Sequence, residues 1–303
     1  MTHVLHLSYE VSARAKEIVS TISDPSLLED PSTPQAKALE WIMLDDLETH
    51  PDPASQKLNP MIQRQILALF YYSTEGDNWL NNFSWLTSTS ECEWYGCGCD
   101  HDGRVVSLTL DDNGLAGSIP EELFGLADLE KLDLSSNDLT GTISSGIGQL
   151  TSLTHLELGG NDFTGTIPEE IGSLSGLQHV DLSCNTIIGM IPDQIGDLVS
   201  LTLFKLHENR LTGIIPESVC ENRNNSETPG LLETLTSDCG GPFPEVVCGC
   251  CSDCQAGTPR SKGGKGNKGG KGGKKTKSKA KSKKRSKKNR SDGGEAKTGN
   301  LFN

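Results

Sequence analysis

Between residues 105 and 219 the apolar positions recur with one fixed period. Asn113, Asn137, Asn161, Asn185 and Asn209 follow one another at intervals of 24 residues. Three positions before each stand Leu110, Leu134, Leu158, Leu182 and Leu206, and five before stand Leu108, Leu132, Leu156, Val180 and Phe204. Two after stand Leu115, Leu139, Phe163, Ile187 and Leu211, followed by a Gly column (Gly117, Gly141, Gly165, Gly189, Gly213) and an Ile column (Ile119, Ile143, Ile167, Ile191, Ile215). Pro follows the Ile in four copies, and Ser144 takes its place in the other. The alternation around the paired apolar columns predicts a short strand with one face inward and one outward. Parallel stacking of five such strands predicts one concave sheet. Each Asn should turn inward, where its amide serves backbone groups that no strand ladder reaches. No single copy can bury its own apolar face, so the array needs a cap at each end.

The flanks carry other patterns. TPQAKALEWIMLDDLE places Leu39, Ile42, Met43 and Leu47 at helical spacing, and NPMIQRQILALFYY predicts a second helix with Asn59 as N-cap and Pro60 at its first position. Gly76 is the expected stop. The resulting division is a flexible segment over 1–33, a helical and cysteine-containing cap over 34–104, repeats over 105–219, a cysteine-rich cap over 220–254 and a disordered tail over 255–303.

Charge divides the chain more sharply than length does. The 303 residues have a formal net charge of −14, but the tail holds 17 basic against 2 acidic side chains, and the remainder 10 against 39. Lys262, Lys265, Lys268, Lys271 and Lys274 are spaced by three, mostly across Gly pairs, which disfavours helix. Such a polycation would reach roughly 35–40 Å as a flexible chain. It suits an anionic polysaccharide, anionic lipid, nucleic acid or silica, or it is a solubilising tail without a ligand. No apolar run approaches the roughly 18 residues of a membrane span. The first twenty residues lack a signal-peptide core, so an incomplete N-terminus or a missing upstream anchor is expected for a secreted chain.

Candidate chemistry lies on the outward strand positions. One row reads Ser107, Lys131, His155, His179 and Leu203. The next reads Thr109, Asp133, Glu157, Asp181 and Lys205, and the third Asp111, Ser135, Gly159, Ser183 and His207. At a strand spacing of about 4.8 Å the two histidines should adjoin, beside an unbroken acidic row. A metal-binding or pH-responsive patch is one reading, and a solvated polar face is the other. Lys131, Asp133, His155, Glu157, His179, Asp181, Lys205 and His207 are the candidate ligand-binding residues. Trp79, Trp85 and Trp94 are expected in the core of the N-terminal cap rather than on a ligand platform. No G-x-S-x-G, H-E-x-x-H or phosphate loop is present, no cofactor is implied, and the chain is read as non-enzymatic.

Nine of the ten cysteines lie in the caps. Cys220, Cys239, Cys248, Cys250, Cys251 and Cys254 allow several connectivities, and C-x-C-C-x-x-C is also compatible with zinc. Disulfides are the expectation, because the cysteines flank the array where caps belong. Sequons at Asn82, Asn224 and Asn289 fit a secretory route.

The 24-residue frame L-x-x-L-x-L-x-x-N is the leucine-rich repeat signature. LTGTISSGIGQLTSL and FTGTIPEEIGSLSGL resemble the plant-type leucine-rich repeat, and Cys92-Glu93-Trp94-Tyr95-Gly96-Cys97-Gly98-Cys99 resembles that family's N-terminal cap. DCGGPFPEVVCGCCSDC is similar, less closely, to C-terminal caps of some algal members. The resemblance implies an α/β solenoid, a right-handed superhelix with a parallel concave sheet. It implies a Cys92–Cys99 disulfide, with Cys97 standing where the family has an apolar residue. It also implies an extracellular or cell-surface recognition surface of receptor type, here without a kinase domain, that takes a protein or peptide on the concave face. The tail's lysine spacing is loosely similar to lysine-rich silaffins. The alternatives are a matrix protein whose tail binds polysaccharide or silica, and an intracellular nucleic-acid-associated adaptor.

Overall fold

The computed structural model describes residues 16–17, 19–43, 58–224, 232–240 and 246–256. Strands Val105–Thr109, Lys131–Asp133, His155–Glu157, His179–Asp181 and Leu203–Lys205 lie side by side in sequence order and pair in parallel. The register runs Leu108, Leu132, Leu156, Val180, Phe204 across the sheet. All five are buried. A slip of one residue would turn that whole row to water, which is why so short a strand holds its register. The return path of the first four copies is a 3-10 turn: Glu121–Gly125, Ser145–Gln149, Glu169–Ser173 and Asp193–Asp197. Pro120, Pro168 and Pro192 precede three of them. Ser144 precedes the fourth and replaces the ring's rigidity with a hydrogen bond, its hydroxyl accepting the Gly146 N–H at 3.0 Å.

The Asn column is a ladder of amides spanning neighbouring copies. Nδ2 of Asn161 donates to Leu134 O at 2.9 Å and Leu158 O at 3.1 Å, and its Oδ1 accepts Leu139 N–H at 3.0 Å. Asn185 repeats the set on Leu158 O, Leu182 O and Phe163 N. Each amide thus ties its own turn to the preceding one, which is why a shorter polar side chain would not serve.

The N-terminal cap closes the first edge. Helices Pro34–Trp41 and Leu58–Ser73 supply it, the former capped by Thr33 through the Ala36 N–H at 3.1 Å. Trp41, Phe70, Tyr71, Trp79, Trp85 and Trp94 are buried together, with Trp79 and Trp85 ring centroids 4.9 Å apart. Arg64 lies against the Trp41 and Trp94 rings at 5.4 and 5.1 Å, and its Nη1 meets Glu91 Oε2 at 3.0 Å. The first pairing of the sheet is antiparallel, Cys97–Cys99 against Val105–Thr109. This hairpin covers an edge that would otherwise present unpaired backbone groups.

Several sequence expectations are modified here. Residues 19–33, read as flexible, are partly packed: Val19 and Leu28 are buried with Leu39, and Ser23 Oγ donates to Glu122 Oε1 at 2.8 Å. Their apolar side chains are too widely spaced to show a period. The second helix already includes Leu58, so Asn59 and Pro60 lie in its first turn rather than at the cap. It ends at Ser73, and the left-handed residue after it is Glu75 (φ 57°), not Gly76. Leu47 lies outside the described residues.

At the other end, helix Glu217–Asn224 crosses the expected 219/220 boundary. Strand Thr234–Gly240 then adds to the concave sheet as a sixth parallel member, Leu235 opposite Phe204, and Asp253–Ala256 follows it. The sequence reading missed this continuation because 31 residues, not 24, separate the paired positions Leu203 and Thr234. The tail from 257 onward lies outside the described residues.

Candidate functional site: the concave sheet

The strand register brings the predicted rows together. Lys131, His155, His179 and Leu203 are consecutive neighbours, as are Asp133, Glu157, Asp181 and Lys205. The His155 and His179 rings meet edge to face with centroids 4.4 Å apart. His155 Nδ1 lies 2.8 Å from Thr154 Oγ1. Partial burial, then His179 and Lys131, lower its pKa, so the neutral imidazole is favoured.

The acidic row is not three equivalent carboxylates. Lys131 Nζ reaches Asp133 Oδ2 at 3.2 Å, and Lys205 Nζ donates to Asp181 Oδ2 at 2.9 Å. The inner oxygens are also engaged: Ser135 Oγ donates to Asp133 Oδ1 at 2.8 Å, and Ser183 donates to Asp181 Oδ1. Glu157 sits between the two pairs. Burial first, then the charges of Asp181 and Asp133, raise its pKa to about 7 against the partial relief of Lys205 and Lys131. The row read as a uniform anionic stripe is therefore two neutralised ends around one carboxyl that gains its proton near neutral pH. Gly159 leaves room in the third row. A Cβ there would lie 2.8 Å from Asp181 Oδ1.

His207, expected beside these groups, is held differently. Its Nδ1 lies 2.8 Å from Thr236 Oγ1 on the added sixth strand. Sequence reasoning missed Thr236 as well as Asp238, whose carboxylate accepts the Glu208 and Asn209 N–H groups at 2.8 and 2.9 Å. The signal was Leu232-x-x-Leu235, which repeats the apolar spacing of Leu201-x-x-Phe204 in the preceding copy.

Disulfides join Cys92 to Cys99, Cys220 to Cys250 and Cys248 to Cys251. The last two bonds consume the central thiols of the zinc-like motif, so the metal alternative does not apply to them. The side chains of Cys239 and Cys254 lie outside the described residues. Cys97 remains a thiol packed against the core, and burial pushes its pKa well up. It thereby fills the apolar position of the cap motif as a small hydrophobe. Among the sequons, Asn82 is exposed, with Nδ2 donating to Gly76 O at 3.1 Å. The side chain of Asn224, together with Asn289 and the lysines from Lys262 to Lys274, lies outside the described residues.

A parallel sheet in 24-residue steps, with an internal Asn ladder and 3-10 return turns, defines a leucine-rich repeat solenoid. Leucine-rich repeat family profiles match residues 103–163 and 176–198. The chain is 43% identical over 44 residues to a probable LRR receptor-like serine/threonine-protein kinase of Arabidopsis thaliana, covering 14% of this chain and 6% of that protein. A second Arabidopsis thaliana relative, a probable leucine-rich repeat receptor-like protein kinase, is 42% identical over 52 residues, covering 16% and 5%. Among solved structures, the BIR2 ectodomain from Arabidopsis thaliana is 34% identical, with 52% of this chain and 85% of that chain covered and a TM-score of 0.49. Residues 103–163 and 176–198 are leucine-rich repeats, and they are similar to the repeats of plant receptor-like kinases. The chain spans only about one-twentieth of the length of the two curated kinases it matches.

Proposed function

We propose that this chain is a non-enzymatic recognition module whose concave sheet binds a peptide or an extended protein segment. The observation that supports it most is the placement of Glu157, a half-buried carboxyl at the centre of a rigid strand array. Ion-paired Asp133 and Asp181 flank it, and the His155–His179 pair lies in the next row. A ligand that offers one cationic or N–H donor group at Glu157 would complete the row's charge balance. Side chains on short strands are already ordered, so little entropy is lost on binding. Related proteins described as receptor-like kinases support the same class.

The test is selection of binders from a displayed peptide library on the intact chain, followed by the triple variant Asp133→Asn, Glu157→Gln, Asp181→Asn. Binding should fall at least tenfold and lose its salt dependence. A selected ligand indifferent to all three changes would put the site on another face.

The disulfides of both caps support an extracellular or cell-surface setting. Among the described residues no helix is long and apolar enough to cross a membrane. The polycationic tail would add an electrostatic anchor to an anionic polymer or to silica, supported by its charge alone. Retention of intact and tail-truncated protein on heparin-like, silica and nucleic-acid matrices tests this. Equal elution of both forms on every matrix removes the anchor. Nucleic-acid preference would favour the intracellular alternative.

A further inference from the structure

The residue immediately before each ladder Asn adopts a left-handed backbone: Asp112, Ser136, Gly160, Cys184 and Glu208 have φ of 47°, 57°, 73°, 56° and 58°. Gly and Asp tolerate that conformation, whereas Cys and Glu adopt it rarely. Stacking in this column places Cys184 on one turn and Glu208 at the equivalent point of the next. His207 directly precedes Glu208. The sulfur, one imidazole nitrogen and one carboxylate oxygen of Cys184, His207 and Glu208 all lie within 4.8 Å of one another.

We propose that Cys184, His207 and Glu208 bind a single borderline divalent ion, zinc foremost, at the rim of the concave sheet. One thiolate, one imidazole and one carboxylate are the donor types zinc accepts, and three protein ligands leave a fourth position for water. The backbone that carries them is fixed from three sides. Cys184 N donates to His207 O at 2.9 Å, Asn185 N to Glu208 O at 3.1 Å, and Glu208 N to Asp238 Oδ1 at 2.8 Å. Thr236 Oγ1 holds His207 through Nδ1, which directs Nε2 to the metal and fixes the ring as an outer partner of a metal-bound histidine does. The Glu208 side chain is exposed and can swing to close the remaining distance. The site is separate from the Glu157 carboxyl and stands whether or not the concave sheet binds a peptide.

The test uses the full chain with its disulfides intact, depleted of metal and titrated anaerobically with cobalt(II). A thiolate-to-cobalt charge-transfer band should saturate at one ion per chain and disappear on addition of zinc. Cys184→Ser should abolish the band. Thr236→Val, which keeps a β-branched strand residue, should weaken binding by roughly 10- to 100-fold, as loss of an outer partner does. In the unaltered protein, zinc should slow alkylation of Cys184, mapped by peptide mass spectrometry, with half-buried Cys97 as the internal reference. This arm needs no variant and survives if a substitution impairs folding. A charge-transfer band that persists in Cys184→Ser, or alkylation of Cys184 at one rate with and without zinc, would overturn the proposal. So would binding that is lost only when the exposed Asp100–His101–Asp102 turn is altered, the other metal-compatible group among the described residues.

Discussion

Asp238 accepts the backbone N–H of Asn209 at 2.9 Å through Oδ2 and that of Glu208 at 2.8 Å through Oδ1. In the repeats below, an amide from the following turn does comparable work: Asn137 Oδ1 accepts the Asn113 N–H at 3.0 Å. At position 238 both backbone groups to be met are N–H donors. A carboxylate meets that need with two acceptors and charge-assisted strength. Asp238→Ala should lower stability by about 1–3 kcal/mol, since it strands two N–H groups near the rim. Asp238→Asn should cost less than Ala, and denaturant midpoints of the three proteins give the order.

The ladder itself should be most sensitive at its centre. Asn161→Ala leaves two carbonyls and one N–H without their partner in a buried place. The expected loss is on the order of 3 kcal/mol, given about 1–3 kcal/mol per stranded group and some relaxation. Asn209, at the less buried end, should lose less when replaced by Ala. An equal loss at both positions would mean that burial does not set the size of the effect.

Glu157 makes stability depend on pH in a direction opposite to most carboxylates. Its folded pKa of about 7 stands above the ordinary 4.5, so the folded chain holds that proton more tightly than the unfolded chain does. Its stabilising contribution is complete below about pH 4.5 and is lost as pH rises through about 7. The groups facing it are Asp133, Asp181, Lys131 and Lys205, with His155 and His179 in the adjacent row. Glu157→Gln should flatten the thermal midpoint over that window and raise it at about pH 8. A parallel pH profile in the two proteins would place the titration elsewhere.

Two glycines of one column should respond differently to the same change. Gly117 and Gly141 both have φ near 90°, so Ala at either is strained by about 1–2 kcal/mol. At Gly117 the new Cβ would also collide with Ser73 O at the end of the cap helix, whereas at Gly141 the nearest atom is Ser118 Cβ at 3.4 Å. Gly117→Ala should therefore be the more damaging, and thermal midpoints compare the two. Equal damage would mean that the cap helix yields.

The sequence by itself determined the solenoid. Its columns of Leu, Asn, Gly and Ile repeat at one interval, and a fixed interval converts linear spacing directly into neighbours across a parallel sheet. His155 beside His179 and Glu157 between Asp133 and Asp181 follow from that arithmetic. The tertiary structure decided whatever depends on where long side chains end and on contacts without a period. Lys131 from the neighbouring row and Lys205 at the end of the acidic row reach Asp133 and Asp181, which changes a uniform stripe into one poised carboxyl. The sixth strand enters after an irregular insertion, so Asp238 and Thr236 had no column to announce them. Cys184 and Glu208 were visible as letters in the same column, but their shared left-handed turn, and the approach of His207 to both, exist only once the copies are stacked.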